Sequence, residues 1–199
     1  MAARRPGGRD RTVRTLRAAE RRAVPWKNGG GVTRGIAAQP EGSGAAEFEW
    51  RVSLADVAAD GPFSGFPGVD RILTVVEGAG MDLTVNGQRR LVDERFVPQH
   101  FPGDAPTDCR LLAGPVVNFN VMFRRGRPAP AVAVVRGGLT ITGPALVVAL
   151  DAPAHVDGVR LGPYDAVLTE EGGAVVRAEG HAAVVTLPAW QSGQEMSGI

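Results

Sequence analysis

The chain has 199 residues, 44% of them apolar, with 27 glycines, 15 prolines and a formal net charge of +1; this excludes a disordered or fibrous protein and fits one large domain or two small halves rich in turns. A single cysteine, Cys109, excludes an internal disulfide and suits a cytoplasmic protein. No apolar run approaches the length of a membrane span, and the arginine-rich start lacks the apolar core of a signal peptide, so no membrane partner is expected.

Residues 1–34 carry a net charge of +8 and the remainder −7. Residues 1–10 read as a flexible basic tail. Such an arm can reach for nucleic acid, but neither an aromatic-interleaved basic patch nor a recognition helix follows it, and no nucleic-acid partner is expected. Of 22 basic side chains only Lys27 is a lysine. A compact, deprotonatable amine is what arginine does not supply, so its position is a functional hint.

Thr12 to Arg17 alternates as an edge-like strand, and Ala18 to Arg22 is a short polar connection. Next comes Pro25-Trp26-Lys27-Asn28-Gly29-Gly30-Gly31-Val32-Thr33-Arg34. Its glycines permit tight turning, and successive N–H groups in such a turn can face inward as an anion-receiving concavity. The lysine precedes the glycines and β-branched residues follow them, which excludes a Walker loop leading into a helix. Arg34 stands where the last glycine of a dinucleotide fingerprint belongs.

Gln39 to Ala46 reads as a polar loop and Phe48 to Leu54 as a strand. Phe48, Trp50, Val52 and Leu54 share one face of it, and Arg51 and Ser53 lie on the other. Asp60 to Gly68 is a dense turn carrying Phe63 and Phe66. Strands over Arg71–Glu77, Met81–Val85 and Gln88–Val92 follow, the last two joined by Asn86-Gly87. Phe101 to Asp104 reads as a turn, Cys109 to Leu112 as a strand, and Val116 to Arg124 as a long strand. In that strand Val117, Phe119, Val121 and Phe123 oppose Asn118, Asn120 and Met122, and two asparagines on one face can line a polar pocket or face solvent.

From Gly126 the chain turns to short Pro-, Ala- and Val-rich strands: Ala131–Val135, Leu139–Thr142, Leu146–Leu150, Ala166–Thr169, Ala174–Arg177 and Ala182–Leu187. No helical period is sustained anywhere, so an all-β sandwich or barrel is expected. Residues 11–125 are expected to form a first half carrying a pocket and residues 126–190 a second, packing half, with a loose tail over 191–199.

The three histidines, His100, His155 and His181, read as surface residues. His155-Val156-Asp157 with His181 imitates a two-histidine, one-carboxylate iron triad, but His155 falls in a stretch that reads as a loop. No His-x-His pair exists, and no metal or cofactor is expected. No Gly-x-Ser-x-Gly elbow exists either. Cys109 reads as a core thiol.

The stretch from Pro25 to Arg34, then Trp50-Arg51-Val52-Ser53, Asp60-Gly61-Pro62-Phe63-Ser64, Phe66-Pro67-Gly68-Val69-Asp70-Arg71 and Asn120-Val121-Met122 resembles the HutD/Ves family. The resemblance implies a bicupin, two jelly-roll barrel halves in one chain. It further implies that the protein binds a small acidic metabolite resembling formylglutamate or urocanate and modulates histidine utilisation. The pocket so implied is lined by Trp26, Lys27, Asn28, Thr33, Arg51, Ser53, Phe63, Ser64, Arg71 and Asn120, with Gly29 and Gly30 in the turn at its mouth. Lys27 and either Arg51 or Arg71 would supply charge, Asn28, Ser53 and Asn120 would orient the carboxylate, and Trp26 with Phe63 would exclude water. Asn118-Phe119 departs from the acidic-aliphatic pair the resemblance leads one to expect. The alternative is a metal-independent isomerase or lyase using Lys27 as base or Schiff-base amine, with Asp70 the one candidate acid, otherwise paired with Arg71 or Lys27. By analogy with cupins that pair sheet edges, a homodimer is expected.

Overall fold

The computed structural model of the protein describes residues 13–44 and 47–188. The expected tails, residues 1–10 and 191–199, lie outside the described residues. In chain order the strands of the first part are β1 (Val13–Leu16), β2 (Ala23–Pro25), β3 (Gly31–Gln39), β4 (Trp50–Val57), β5 (Gly61–Pro62), β6 (Val69–Glu77), β7 (Met81–Val85), β8 (Gln88–Val92), β9 (Gln99–Pro102), β10 (Thr107–Leu111) and β11 (Val116–Arg124). Those of the second are β12 (Ala131–Thr140), β13 (Ala145–Ala149), β14 (Ala154–Val156), β15 (Val159–Leu161), β16 (Ala166–Thr169) and β17 (Val175–Thr186). The sole helical element among the described residues is a 3₁₀ turn, Ala18–Glu20.

In the first half a six-stranded sheet, β2-β3-β4-β11-β6-β9, faces a four-stranded one, β5-β10-β7-β8. Period-two alternation gives the larger sheet two buried faces. Trp50, Val52 and Leu54 of β4 and Phe119, Val121 and Phe123 of β11 pack against Leu146, Val148, Leu168 and Val185 of the second half. The opposite face points into the first barrel, where Leu73, Val75 and Val116 meet Met81, Leu83, Val85 and Cys109 from the smaller sheet. Arg51, Ser53, Asn118 and Asn120 share this inner face, so their polar groups are enclosed by the barrel.

The second half is one seven-stranded sheet wrapped around Ala145, Val147, Ala154, Val156, Val167, Val176 and Val184. Its buried residues are small apolar side chains, with Thr169 the one buried polar residue of these strands among the described residues. β1 lies within the segment expected to build the first half, yet it pairs antiparallel with β16, Val13 opposite Thr169.

Several elements differ from the expected ones. Phe48 precedes β4 and packs with Val69 and Met122 instead of with Trp50 and Val52. Leu139 continues the strand that starts at Ala131, because Gly137, at φ 73°, takes up a bulge between Val135 and Gly137. Ala174–Arg177 and Ala182–Leu187 merge into β17, since Gly180 stays in the strand: a side chain there would meet the Asp151 carboxylate at 2.3 Å. His155 is in a strand, β14, not a loop.

The β7–β8 hairpin closes on Asn86 and Gly87 at φ 49° and 76°, with Val85 opposite Gln88. Both positive values match the turn that follows the twist of the strands. Gly87→Ala is expected to lower stability by about 1 kcal/mol in chemical denaturation, with the slope of the transition unchanged.

Candidate functional site: a cationic cavity in the first barrel

The inner face of the first barrel encloses a cavity of about 580 Å³. β4 contributes Arg51, Ser53 and Ala55, β11 contributes Asn118, Asn120 and Met122, β6 contributes Arg71, and β3 contributes Thr33. The loop after β5 adds Phe63, Ser64 and Phe66, and the turn after β2 adds Trp26, Lys27 and Asn28. Exposed Lys27, Asn28, Pro62 and Ser64 mark its opening. Ten of the expected site residues thus meet at one cavity, while Gly29 and Gly30 do not line it.

Arg71 is the chemical centre. It is only 8% exposed and has no carboxylate partner among the described residues. Its guanidinium lies 5.2 Å from the ring centres of both Phe63 and Phe101 and 5.9 Å from that of Phe66. Nη2 donates to Asn120 Oδ1 at 3.2 Å, and Nε is buried without a partner. Burial lowers its pKa from the usual arginine range to about 10. It remains cationic at neutral pH with an unmet demand for an acceptor, which is the condition under which a carboxylate gains most from a charged hydrogen bond. Arg51, half-buried, is likewise pushed down by burial. Among the described residues no Asp, Glu or His lines the cavity.

Asn120 Nδ2 in turn donates to Asn118 Oδ1, so three side chains form a buried relay. Asn118, 1% exposed, belongs to the site but is absent from the set implied by the family resemblance. Strand alternation was the available signal, because Asn118, Asn120 and Met122 share one face of β11. Phe66 and Phe101 were also missed. Phe101 reaches Arg71 because β9 pairs with β6 and sets the two residues opposite each other, a long-range register that no local pattern reveals.

At the mouth, Trp26 Nε1 donates to Thr33 Oγ1 at 2.8 Å, and the indole meets the Phe63 ring edge-on at 6.1 Å. This fixes a flat apolar wall beside Lys27. Thr33→Val, nearly the same shape without the acceptor, is expected to cost about 1 kcal/mol and to weaken carboxylate binding a few-fold, as read by thermal melts and calorimetry.

The glycine turn differs from the expected anion-receiving one. The Gly29 N–H donates to the Trp26 carbonyl at 3.1 Å, and the Gly30 N–H to Asn28 Oδ1 at 3.1 Å. These donors are spent within the turn itself. Its function is to join β2 to β3 and to hold Trp26 and Lys27 at the cavity mouth.

Asp70 pairs with Arg125 at 2.8 Å, not with Arg71 or Lys27. Cys109 is buried, its thiol pushed up to about 12 by desolvation and by Asp60 and Asp82, as suits a core residue. His155 pairs with Arg177 across β14 and β17, whereas the His181 Nδ1 lies 2.7 Å from Asp151 and its ring stacks on Phe96. Among the described residues no group of three or more His, Cys, Asp or Glu is placed to hold a metal ion. Nor is any helix among them long and apolar enough to cross a membrane.

The HutD family model matches residues 18–186. The chain belongs to the HutD family. An uncharacterized 21.2 kDa Pseudomonas putida protein, described as lying in the hutC 3′ region, is 36% identical to this HutD-family chain over 166 residues, covering 79% of it and 87% of the relative. Protein Ves of Cronobacter sakazakii is 33% identical over 156 residues, or 76% and 84% of the two chains. The solved structure of HutD from Pseudomonas fluorescens superposes with a TM-score of 0.79 at 32% identity, covering 88% of this chain and 97% of that one. At 10% identity an Escherichia coli pirin still matches with a TM-score of 0.65, and a likeness that distant speaks for the fold alone. This HutD-family protein is an all-β bicupin, with the polar cavity in its first barrel and an apolar filling in its second.

Proposed function

We propose that the first barrel binds a small carboxylate metabolite, similar to formylglutamate or urocanate, and that its occupancy modulates histidine utilisation through a protein partner. The observation that carries this reading is Arg71, a buried cation boxed by three phenylalanines at the wall of a cavity to which no carboxylate of the described residues contributes. Arg51 and Lys27 add positive charge towards the opening. A cavity of about 580 Å³ suits a molecule of metabolite size. The hut-region relative from Pseudomonas putida supports the link to histidine utilisation.

Titration calorimetry with formylglutamate and urocanate tests the reading. Saturable binding that is lost in Arg51→Ala supports it, and absence of binding by either acid overturns it. NMR spectra of the same mixtures read turnover. Product formation would favour the alternative in which Lys27 acts as a base, a role for which the described residues of the cavity wall supply no carboxylate or imidazole partner.

A further inference from the structure

We infer that the outer face and open edge of the second half form a docking site for an extended segment of a protein partner, one in which acidic side chains alternate with apolar ones. The site lies on the other half of the molecule from the cavity and does not depend on what the cavity binds.

Strand register sets a cationic row across this face. Arg160 of β15 and Arg177 of β17 stand directly opposite His155 on either side of β14, and Gly138 of β12 stands opposite Arg177. Opposing residues share a face of the sheet. Arg160 and Arg177 are exposed, as is Arg136 just before the glycines of β12. Among the described residues none of the three arginine side chains, nor that of His155, makes an ion pair or a side-chain hydrogen bond. Glu179 shares the face and pairs with none of them, and Asp157 accepts the Val175 N–H at 2.8 Å. Opposite charges across strands stabilise an exposed sheet face, so a row of unmatched cations is charge left for another molecule.

The edge beside this row is open. Among the described residues β12 pairs with β17 alone, so the N–H and C=O groups of its other side have no strand partner. Gly138 leaves a trough of about 530 Å³ beside Arg177 and His155. A Cβ on Gly138 would meet nothing within 4 Å, and its φ lies outside the left-handed region, so neither packing nor backbone conformation requires glycine there. A strand glycine of this kind lets another chain approach closely. Side chains of an added strand alternate between the two faces. On the outer face a carboxylate leans over Gly138 to reach Arg177. On the other, Leu139, opposite buried Val176 yet 38% exposed, is covered by an apolar side chain. Main-chain pairing then supplies affinity and the alternating pattern supplies specificity. Nucleic acid fits less well, since no Phe, Tyr or Trp among the described residues lines the trough to stack a base.

The test uses the full chain and labelled, end-blocked peptides read by fluorescence anisotropy: TEVEVET, its basic counterpart TKVKVKT, and TEEEVVT, which has the first peptide's composition without the alternation. TEVEVET is expected to bind saturably, at least tenfold more tightly than TKVKVKT and at least threefold more tightly than TEEEVVT, and to weaken as salt is raised. Arg177→Glu is expected to weaken it at least tenfold. Gly138→Val fills the trough where the strand has room for a side chain, and is expected to weaken it at least tenfold without lowering the melting temperature. Where Gly138→Val does lower the melting temperature, Arg177→Glu decides. No binding, equal binding of TEVEVET and TKVKVKT, or wild-type affinity in a folded Arg177→Glu protein overturns the inference. Equal binding of TEEEVVT overturns the alternating pattern. Tighter binding of a labelled thymidine oligonucleotide than of TEVEVET overturns the choice of a protein partner, and a dimer that Gly138→Val disperses but excess TEVEVET does not overturns it in favour of a second copy of this chain. Calorimetry with formylglutamate is expected to be the same in both variants as in wild type, which separates this site from the cavity.

Discussion

Arg71→Met is expected to abolish carboxylate binding and at the same time to make the ligand-free protein more stable. Burial holds the Arg71 pKa at about 10, well below the usual arginine range, which corresponds to roughly 3 kcal/mol against the folded state at neutral pH. Methionine fills a similar volume among Phe63, Phe66 and Phe101 and brings no charge. Part of the gain is offset by the lost hydrogen bond to Asn120 Oδ1. A net gain of about 1–2 kcal/mol is expected, seen as a rise in melting temperature of a few degrees. Binding should weaken by about 30-fold to 1,000-fold, because the desolvated charged hydrogen bond is the interaction removed. The sign of the pH dependence gives a second check. As pH rises through about 10 the folded chain gives up the Arg71 proton while the unfolded chain still holds it, so wild-type stability gains from rising pH there and Arg71→Met lacks the gain. A variant that keeps binding within tenfold of wild type, or that is less stable than wild type at neutral pH, overturns this account of Arg71. Arg71→Lys is no rescue, because an ammonium offers neither the planar stack nor the fork that the three rings and Asn120 fit.

The residues of β4 and β11 made the site legible, since alternation alone separates Trp50, Val52 and Leu54 from Arg51 and Ser53. Alternation says that two faces exist, and it leaves open what each of them faces. Here the apolar face packs on the second half and the polar face lines the cavity, the reverse of a sheet whose polar side meets water. Arg71 is harder to see because β6 is buried on both faces, and in Val69 to Glu77 the polar residues Asp70, Arg71, Thr74 and Glu77 fall on both of them, so alternation does not single out the arginine. What fails altogether is long-range pairing. β1 joins β16 about 150 residues away, and nothing in Val13–Leu16 specifies that partner. The second half is read too finely for the opposite reason. Gly137 and Gly180 look like turn residues, yet both lie inside paired strands at the register shift between β12 and β17, where Val135 faces Ala182 and Gly137 faces Ala178, and at Gly180 the Asp151 carboxylate takes the place of a side chain.

The same ambiguity of glycine separates the three neighbours at the cavity mouth, which are expected to respond differently to alanine. A Cβ on Gly31 would lie 2.3 Å from the Asp56 carbonyl oxygen and 3.3 Å from Trp26 Cδ2. Asp56 belongs to β4, which pairs with β3 along its length, so relief requires the two strands to part where Gly31 faces Val57. Gly31→Ala is therefore expected to cost about 3 kcal/mol or more and to loosen carboxylate binding as well, because the Trp26 wall moves with it. Gly29 has open space around it but a φ of 70°, so alanine there costs about 1 kcal/mol of backbone strain. A Cβ on Gly30 would come no closer than 3.4 Å to its nearest neighbour, the Asn28 side chain, and Gly30→Ala is expected to lose least. Chemical denaturation of the three variants, with calorimetry on those that fold, should give the order Gly31, Gly29, Gly30 from largest loss to smallest. Were Gly29→Ala or Gly30→Ala to abolish binding without affecting stability, backbone donors of this turn would belong to the binding site after all. The close approach of β3 to β4 instead makes Gly31 the residue on which the position of Trp26 and Lys27 depends.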